Sequence, residues 1–266
     1  MAGYIFVGIL VILFFWVMFD SKKRELDSLL QKAMRGDIHA QFELSEKYYF
    51  GAGVSKNHAE AFKWSQEAAK QGSAKAQWRL STMYMRGEGV AHDVGECMKY
   101  LHMSAEQGYV FAQCVLGAAY RCGEGVITDY SKAMDLFTKS AEQGYDAAQF
   151  ELGEMYFHGH GTAQDFNQSI IWFQKAAEQG LGQAQLRLGE MYFHGFGIDR
   201  DFIQAYKWLI LASRSAKAGC TTIKDTNILP LMANLNAILT SNQIEEAREL
   251  ADDFHPKRRL NHNMVR

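Results

Sequence analysis

Proline is almost missing from this chain: two occur in 266 residues, Pro230 and Pro256. A proline inside a helix removes a backbone donor and clashes with the preceding turn, so everything before Pro230 is free to be helical. An excess of charge of one sign is missing too. The 28 basic and 30 acidic residues leave a net charge of −2, which excludes the strongly basic footprint of a nucleic-acid binder. Cysteine is scarce: Cys97, Cys114, Cys122 and Cys220, with no C-x-x-C. Cys114 and Cys122 are eight residues apart on one expected helix, roughly 12 Å along its axis and beyond disulfide reach. Single, largely buried thiols are expected, with a bridge involving Cys97 or Cys220 left open. No glycine loop has the strand before it and the lysine after it that a phosphate cradle needs.

What is abundant is glycine, and it is periodic. Gly36, Gly72, Gly108, Gly144 and Gly180 open five copies of one 36-residue unit, 36–71, 72–107, 108–143, 144–179 and 180–215, without insertion or deletion. Fifteen and seventeen residues into each copy stands a pair: Gly51/Gly53, Gly87/Gly89, Gly123/Gly125, Gly159/Gly161 and Gly195/Gly197. Ala40, Leu44 and Tyr48, and their equivalents in the other copies, are four apart and share one face of a helix, here called helix A. Gln41, Gln77, Gln113, Gln149 and Gln185 also recur in step. The G-x-G pair ends helix A, because glycine enters left-handed backbone conformations without steric cost. Asn57, Asp93, Asp129, Asp165 and Asp201 then supply N-caps for a helix B, whose inner face carries Ala61, Trp64, Ala68 and Ala69 in the first copy. One such hairpin cannot bury its apolar face alone, so the copies must stack into an α-solenoid.

The run Leu152-Gly153-Glu154-Met155-Tyr156-Phe157-His158-Gly159-His160-Gly161 resembles the Sel-one-like repeat, a relative of the tetratricopeptide repeat, and five copies agree in phase. The resemblance implies an all-α, right-handed α/α superhelix whose A helices line the concave side. It also implies a protein-binding platform rather than an enzyme. Copies one and two depart from the pattern, with Ser45 and Ser81 in place of Gly117, Gly153 and Gly189; a serine there is expected to loosen the helix packing slightly.

The flanks read differently. Residues 2–19 are an uninterrupted apolar run, about 27 Å long as a helix and near the thickness of a bilayer's hydrocarbon core. It lacks the basic n-region and small-residue cleavage site of a secretory signal, and is expected to be a transmembrane helix. Lys22, Lys23 and Arg24 follow it. By the positive-inside rule they place the repeats of a single-pass protein in the cytoplasm, the periplasm being the alternative, and the resemblance implies a bacterial inner membrane. Residues 21–35, with Leu26, Leu29, Leu30, Ala33 and Met34 at helical spacing, read as a capping half-repeat. After Ser215 the period fails. The stretch 216–254 reads as a polar connection to Thr226, a helix near Pro230 with Leu229, Leu231, Leu235, Ile238 and Leu239, and a last helix opened by the capping box Thr240 to Gln243. These helices are expected to cover the end of the stack, and 255–266 reads as a disordered basic tail.

Chemistry is sparse. His158, His160 and His194 are the nearest approach to a metal site. The position shared by His158 and His194 holds Phe50, Arg86 and Cys122 elsewhere, so it simply varies and no metal is expected. Glu151, Glu154 and Glu190 fall on the outward helical face, where carboxylates are solvated rather than catalytic. No catalytic or cofactor-binding set emerges, and no cofactor, small-molecule substrate or nucleic acid is expected. What remains is the variable face of helix A. Its candidate partner-binding residues are Glu43, Glu46, Phe50, Arg79, Arg86, Phe111, Glu151, Glu154, His158, Arg187, Glu190 and His194. A strip so varied suits an extended peptide or a partner's helix, and the chain reads as a membrane-anchored scaffold or adaptor for a protein partner. The rivals are a periplasmic envelope protein engaging cell-wall, secretion or motility machinery, and a regulatory subunit of an enzyme.

Overall fold

A computed structural model of the chain describes residues 24–217 and 225–257. The described residues form thirteen helices and no strand. α1 covers 24–34, followed by α2 (Ile38–Phe50), α3 (His58–Lys70), α4 (Ala74–Arg86), α5 (Val94–Glu106), α6 (Val110–Cys122) and α7 (Tyr130–Glu142). Then come α8 (Asp146–His158), α9 (Phe166–Glu178), α10 (Gly182–His194), α11 (Phe202–Lys217), α12 (Asp225–Ile238) and α13 (Ser241–Asp252). The chain divides between Tyr109 and Val110 into two compact units. In each, helix A packs on helix B of its own copy, and helix B on helix A of the next. The expected membrane helix at 2–19 lies outside the described residues. Among those described, no helix is long and apolar enough to cross a membrane.

The caps explain the register. Asn57, Asp93, Asp129 and Asp165 accept hydrogen bonds from the backbone N–H groups of Glu60, Glu96, Lys132 and Gln168 at 3.0–3.1 Å. Each such cap is worth about 1 kcal/mol over alanine. Gly51, Gly87, Gly159 and Gly195 close their A helices in the left-handed region, at φ between 67° and 79°. The second glycine of the pair has a role beyond ending a helix. A Cβ on Gly89 would lie 2.2 Å from the His58 carbonyl oxygen, and one on Gly161 would lie 2.6 Å from that of Tyr130. The turns of copies two, four and five therefore rest on the start of helix B of the copy before, at His58, Tyr130 and Phe166.

Leu44, Leu80, Leu152 and Leu188 are buried as the spacing requires. The recurrent glutamines have a structural role that the sequence did not reveal. Gln41, Gln77 and Gln149 each accept a hydrogen bond from Gln71, Gln107 and Gln179 at 2.6–2.8 Å. The same three donate to the carbonyls of Ala33, Ala69 and Ala141 at 3.0–3.5 Å. These carbonyls already accept the N–H groups of Gly36, Gly72 and Gly144, so the relay adds a second bond to each and pairs the buried glutamine amides, which would cost about 1–3 kcal/mol each if left unpaired.

At Ser45 the expected loosening is not what the structure shows. Where helix A carries Gly117, Gly153 or Gly189, the facing residue is Phe137, Phe173 or Leu209, and a Cβ on Gly153 would meet the Phe173 ring at 2.6 Å. Ser45 instead faces Ser65, with the two hydroxyls 2.6 Å apart and the Ser45 hydroxyl donating to the Ala61 carbonyl at 2.9 Å. The larger residue on helix A is matched by a smaller one on helix B, and both hydroxyls are satisfied.

The flanking readings are partly corrected. Leu29 and Ala33 are buried as the half-repeat requires, but Met34 is 73% exposed. α11 continues to Lys217 and α12 begins at Asp225, so Pro230 lies inside that helix rather than at its start. The buried stripe of α12 is Ile228 and Leu235, continued by Leu239 beyond it, with Leu231 packed alongside. Leu229 and Ile238, expected in the core, are exposed, because one residue of phase turns each by about 100°. The Thr240 capping box is present, and α13 buries Ala247 and Ala251 against the end of the stack. The tail is held at its start. The Lys257 backbone N–H donates to the Glu178 carbonyl at 2.7 Å, and its ammonium pairs with the Glu178 carboxylate. Residues 258–266 lie outside the described part.

Candidate functional site: the outer faces of the A helices

In the first unit the face is built by α2 and α4. Arg79 is not the free cation the sequence suggested. It is 4% exposed, and its guanidinium donates to both oxygens of Glu46 at 2.6 and 2.8 Å. It also lies 4.2 Å from the centroid of the Tyr49 ring. Tyr49 stacks on His58 at 5.0 Å and donates its hydroxyl to Glu88. This cluster ties copy one to copy two. Burial pushes the nearby Tyr109 hydroxyl up to about 12, Glu46 raising it further and Arg79 opposing.

Around the cluster the surface is open. Glu43, Phe50, Lys75 and Arg86 are exposed, and Phe50 sits 5.2 Å from the Arg79 guanidinium. At the amino-terminal ends of α2 and α4 lies an open cleft of about 720 Å³, whose lining includes His39, Phe42, Lys75, Gln107 and Tyr109.

The second unit repeats the device with different residues. Glu151, Glu154 and Glu190 are half-buried and paired, not solvated. Arg187 donates to both oxygens of Glu154 at 2.8 and 2.9 Å and to Glu190 at 2.9 Å; Arg121 approaches Glu151 at 3.5 Å. Burial works against the Arg187 charge, but Glu154 and Glu190 outweigh it and its pKa is raised. Burial raises the Glu151 carboxyl, with Arg121 opposing. Phe111, expected on the open strip, is buried with its ring edge-on to Tyr145 at 5.0 Å. Cys114 is buried and its thiol pushed well up by desolvation, so it is no nucleophile; Cys122 is exposed.

His158 and His194 are exposed, but they belong to an aromatic array rather than to a ligand set. His160 stacks on Tyr130 at 4.8 Å and on His158 at 5.5 Å; Phe196 stacks on Phe166 at 5.5 Å and on His194 at 5.3 Å. Phe157 joins the two groups, 5.9 Å from Phe196. Among the described residues no three His, Cys, Asp or Glu side chains gather as metal ligands. Sequence reasoning missed Tyr130, Phe166 and Phe196 because they lie on the turns and on helix B. The available signal for Tyr130 and Phe166 was the recurrence of rings at the first residue of helix B, with His58 and Phe202; Phe196 had none, its position holding Ala52, Glu88 and Glu124 in the first three copies.

Five consecutive segments, 38–73, 74–109, 110–145, 146–181 and 182–216, match the profile of the Sel1 repeat. They keep the 36-residue period but start at the first helical residue instead of the glycine. Among solved structures, a Sel1 repeat protein from Oxalobacter formigenes is 26% identical with a TM-score of 0.74, over 91% of this chain and 99% of that one. A protective antigen present in uropathogenic Escherichia coli strains is 29% identical with a TM-score of 0.57, over 86% of this chain. The chain spans 55% of that antigen's length. No curated protein matches.

Proposed function

The chain belongs to the Sel1 repeat family, whose repeats generally mediate protein–protein interaction, and from that premise we propose that it is a membrane-anchored scaffold holding a protein partner on the outer faces of its A helices. The anchor is the apolar run 2–19, and the basic residues after it favour repeats on the cytoplasmic side of a bacterial inner membrane. The partner lies on that face as an extended peptide or a helix.

The observation that carries this reading is how the face is divided. The charges between copies are consumed in half-buried ion pairs that hold neighbouring A helices together, as Glu46–Arg79 and Glu154–Arg187 do. Phe50, Arg86, His158 and His194 stand exposed around those pairs. A fixed, internally satisfied floor with a few projecting anchors suits recognition by hot spots. It suits catalysis poorly, since among the described residues no acid, base and nucleophile are gathered together on it, and the scaffold reading assigns it a non-catalytic role. Glycan stacking finds less support, because His160 and Phe196 already give ring faces to intramolecular neighbours.

The test is affinity capture from solubilised cells with the wild-type chain and with a variant carrying Glu43→Lys, Phe50→Ala, Arg86→Glu, His158→Ala and His194→Ala. All five side chains are exposed, so helical content should be unchanged. The specific set of captured proteins should fall by about tenfold or more, the loss of a hot spot. An unchanged set would sink the binding face. A reporter fused after Arg266 reads the side of the membrane, and an extracytoplasmic signal would replace the cytoplasmic adaptor by the envelope rival.

A further inference from the structure

Resting on the reading of the A-helix face as a peptide-binding surface, we propose that the first unit takes an acidic segment, with one carboxylate group held at Lys75 in the cleft and a second at Arg86. The two lie at opposite ends of α4, eleven residues apart. That is about 16 Å of helix and three turns plus roughly 20°, so they project from one face. What separates them from the other cations of the A helices is their lack of an acid. Arg79, Arg121 and Arg187 each have a carboxylate within 4.0 Å, whereas among the described residues neither Lys75 nor Arg86 has one.

The acids closest along the chain are already engaged. Asp37 accepts from the Ala40 N–H at 2.8 Å as the α2 cap, Glu88 accepts from the Tyr49 hydroxyl, and Glu43 pairs with Lys47 at 3.7 Å. Arg86 makes one long contact, its Nη1 to the Tyr49 oxygen at 3.3 Å, leaving most of its donors outward. Between the two cations the floor is the neutralised Glu46–Arg79 pair, flanked by the exposed Phe50 ring. The complement is therefore a segment with acids at its two ends and an apolar side chain between them. About five residues of extended chain, at roughly 3.3 Å each, cover the distance.

Charge decides the choice. A basic segment would set its own cations against Lys75 and Arg86 with no free carboxylate in reach. An uncharged one would leave both unanswered.

The probe is a fluorescein-labelled peptide with a glutamate pair at each end of four neutral residues that include one phenylalanine, titrated by anisotropy against the full-length protein. The same peptide with lysine for every glutamate is the control. The acidic peptide should bind, and Lys75→Glu/Arg86→Glu should weaken it about a hundredfold, each single change giving about tenfold. Rising salt should weaken it as well. Circular dichroism confirms the fold, which two exposed positions should not disturb. Equal affinity of wild type and double variant, or equal binding of the lysine peptide, overturns the proposal. If the control peptide binds and Phe50→Ala abolishes binding, the peptide-scaffold reading stands and the acidic partner falls. If neither peptide binds, the acidic partner falls, and the scaffold reading is then decided by the capture comparison alone.

Discussion

Gly89→Ala is expected to cost about 3 kcal/mol or more of folding free energy, although it adds one methyl group in an exposed turn. Two effects combine. Gly89 has φ of +75°, a region that costs an L-residue about 1–2 kcal/mol. Its Cβ would also stand 2.2 Å from the His58 carbonyl oxygen and 2.9 Å from the Ala59 nitrogen. Those are backbone atoms at the start of α3, so no rotamer change relieves the clash and copy two must lift away from copy one. Gly53→Ala separates the terms. Gly53 has φ of +79° but nothing within 4 Å of its Cβ position, so that change should cost about 1–2 kcal/mol. Urea unfolding followed by the helical signal measures both. Equal losses would show that the contact between copies adds nothing.

Arg79→Ala should cost about 3–5 kcal/mol, because it strands the Glu46 carboxylate in a half-buried site without its partner. Replacing both residues, as Glu46→Leu/Arg79→Met, should cost less than the sum of the single changes, since a buried pair repays its desolvation only while both members are present. The Arg187–Glu154 pair has the same fork geometry but a side chain about a third exposed on the arginine, so water screens it. Arg187→Ala also strands a carboxylate, Glu154 being 17% exposed, but the lost arginine was partly screened and His158 stays 3.6 Å from that carboxylate, so the cost should be smaller, about 1–2 kcal/mol. The two positions are 108 residues apart and three copies in step. Their predicted ranking comes from burial and from that histidine, and a reversed ranking in a double-mutant cycle would contradict it.

Those two arginines show where sequence reading stops. The period, the caps at Asn57 and Asp93, the glycine ends of the A helices and the buried Leu44 row are local, set by residues within a turn or two of each other, and the sequence carries them directly. Pairing between copies is not local. Arg79 and Arg86 are both strip residues, yet one is buried on an acid 33 residues earlier and the other projects. Nothing within α4 distinguishes them.

The same holds for Ser45, whose compensation sits at Ser65 on another helix. Pro230 was misleading for a different reason. Proline favours the first turn of a helix, and here α12 accommodates it in the second. Ile228 and Leu229 are neighbours of equal hydrophobicity, so the phase of that helix was set by α11 and α13 packing against it, which no count of apolar residues contains. Of the candidate site, the A-helix face was legible as a set of positions. Which of them hold the copies together and which remain exposed was not.

Photo-crosslinking in living cells tests binding by that face most directly. Benzoylphenylalanine is placed singly at Phe50, Arg86, Val115 and His194 on the A helices, and at Lys63, Lys99, Lys139 and Lys175 on the B helices, all of them exposed. A discrete crosslinked partner from the first set and none from the second is the expected result. Crosslinks from the B-helix positions, with the A-helix positions silent, would contradict it and move the binding surface to the other side of the repeats.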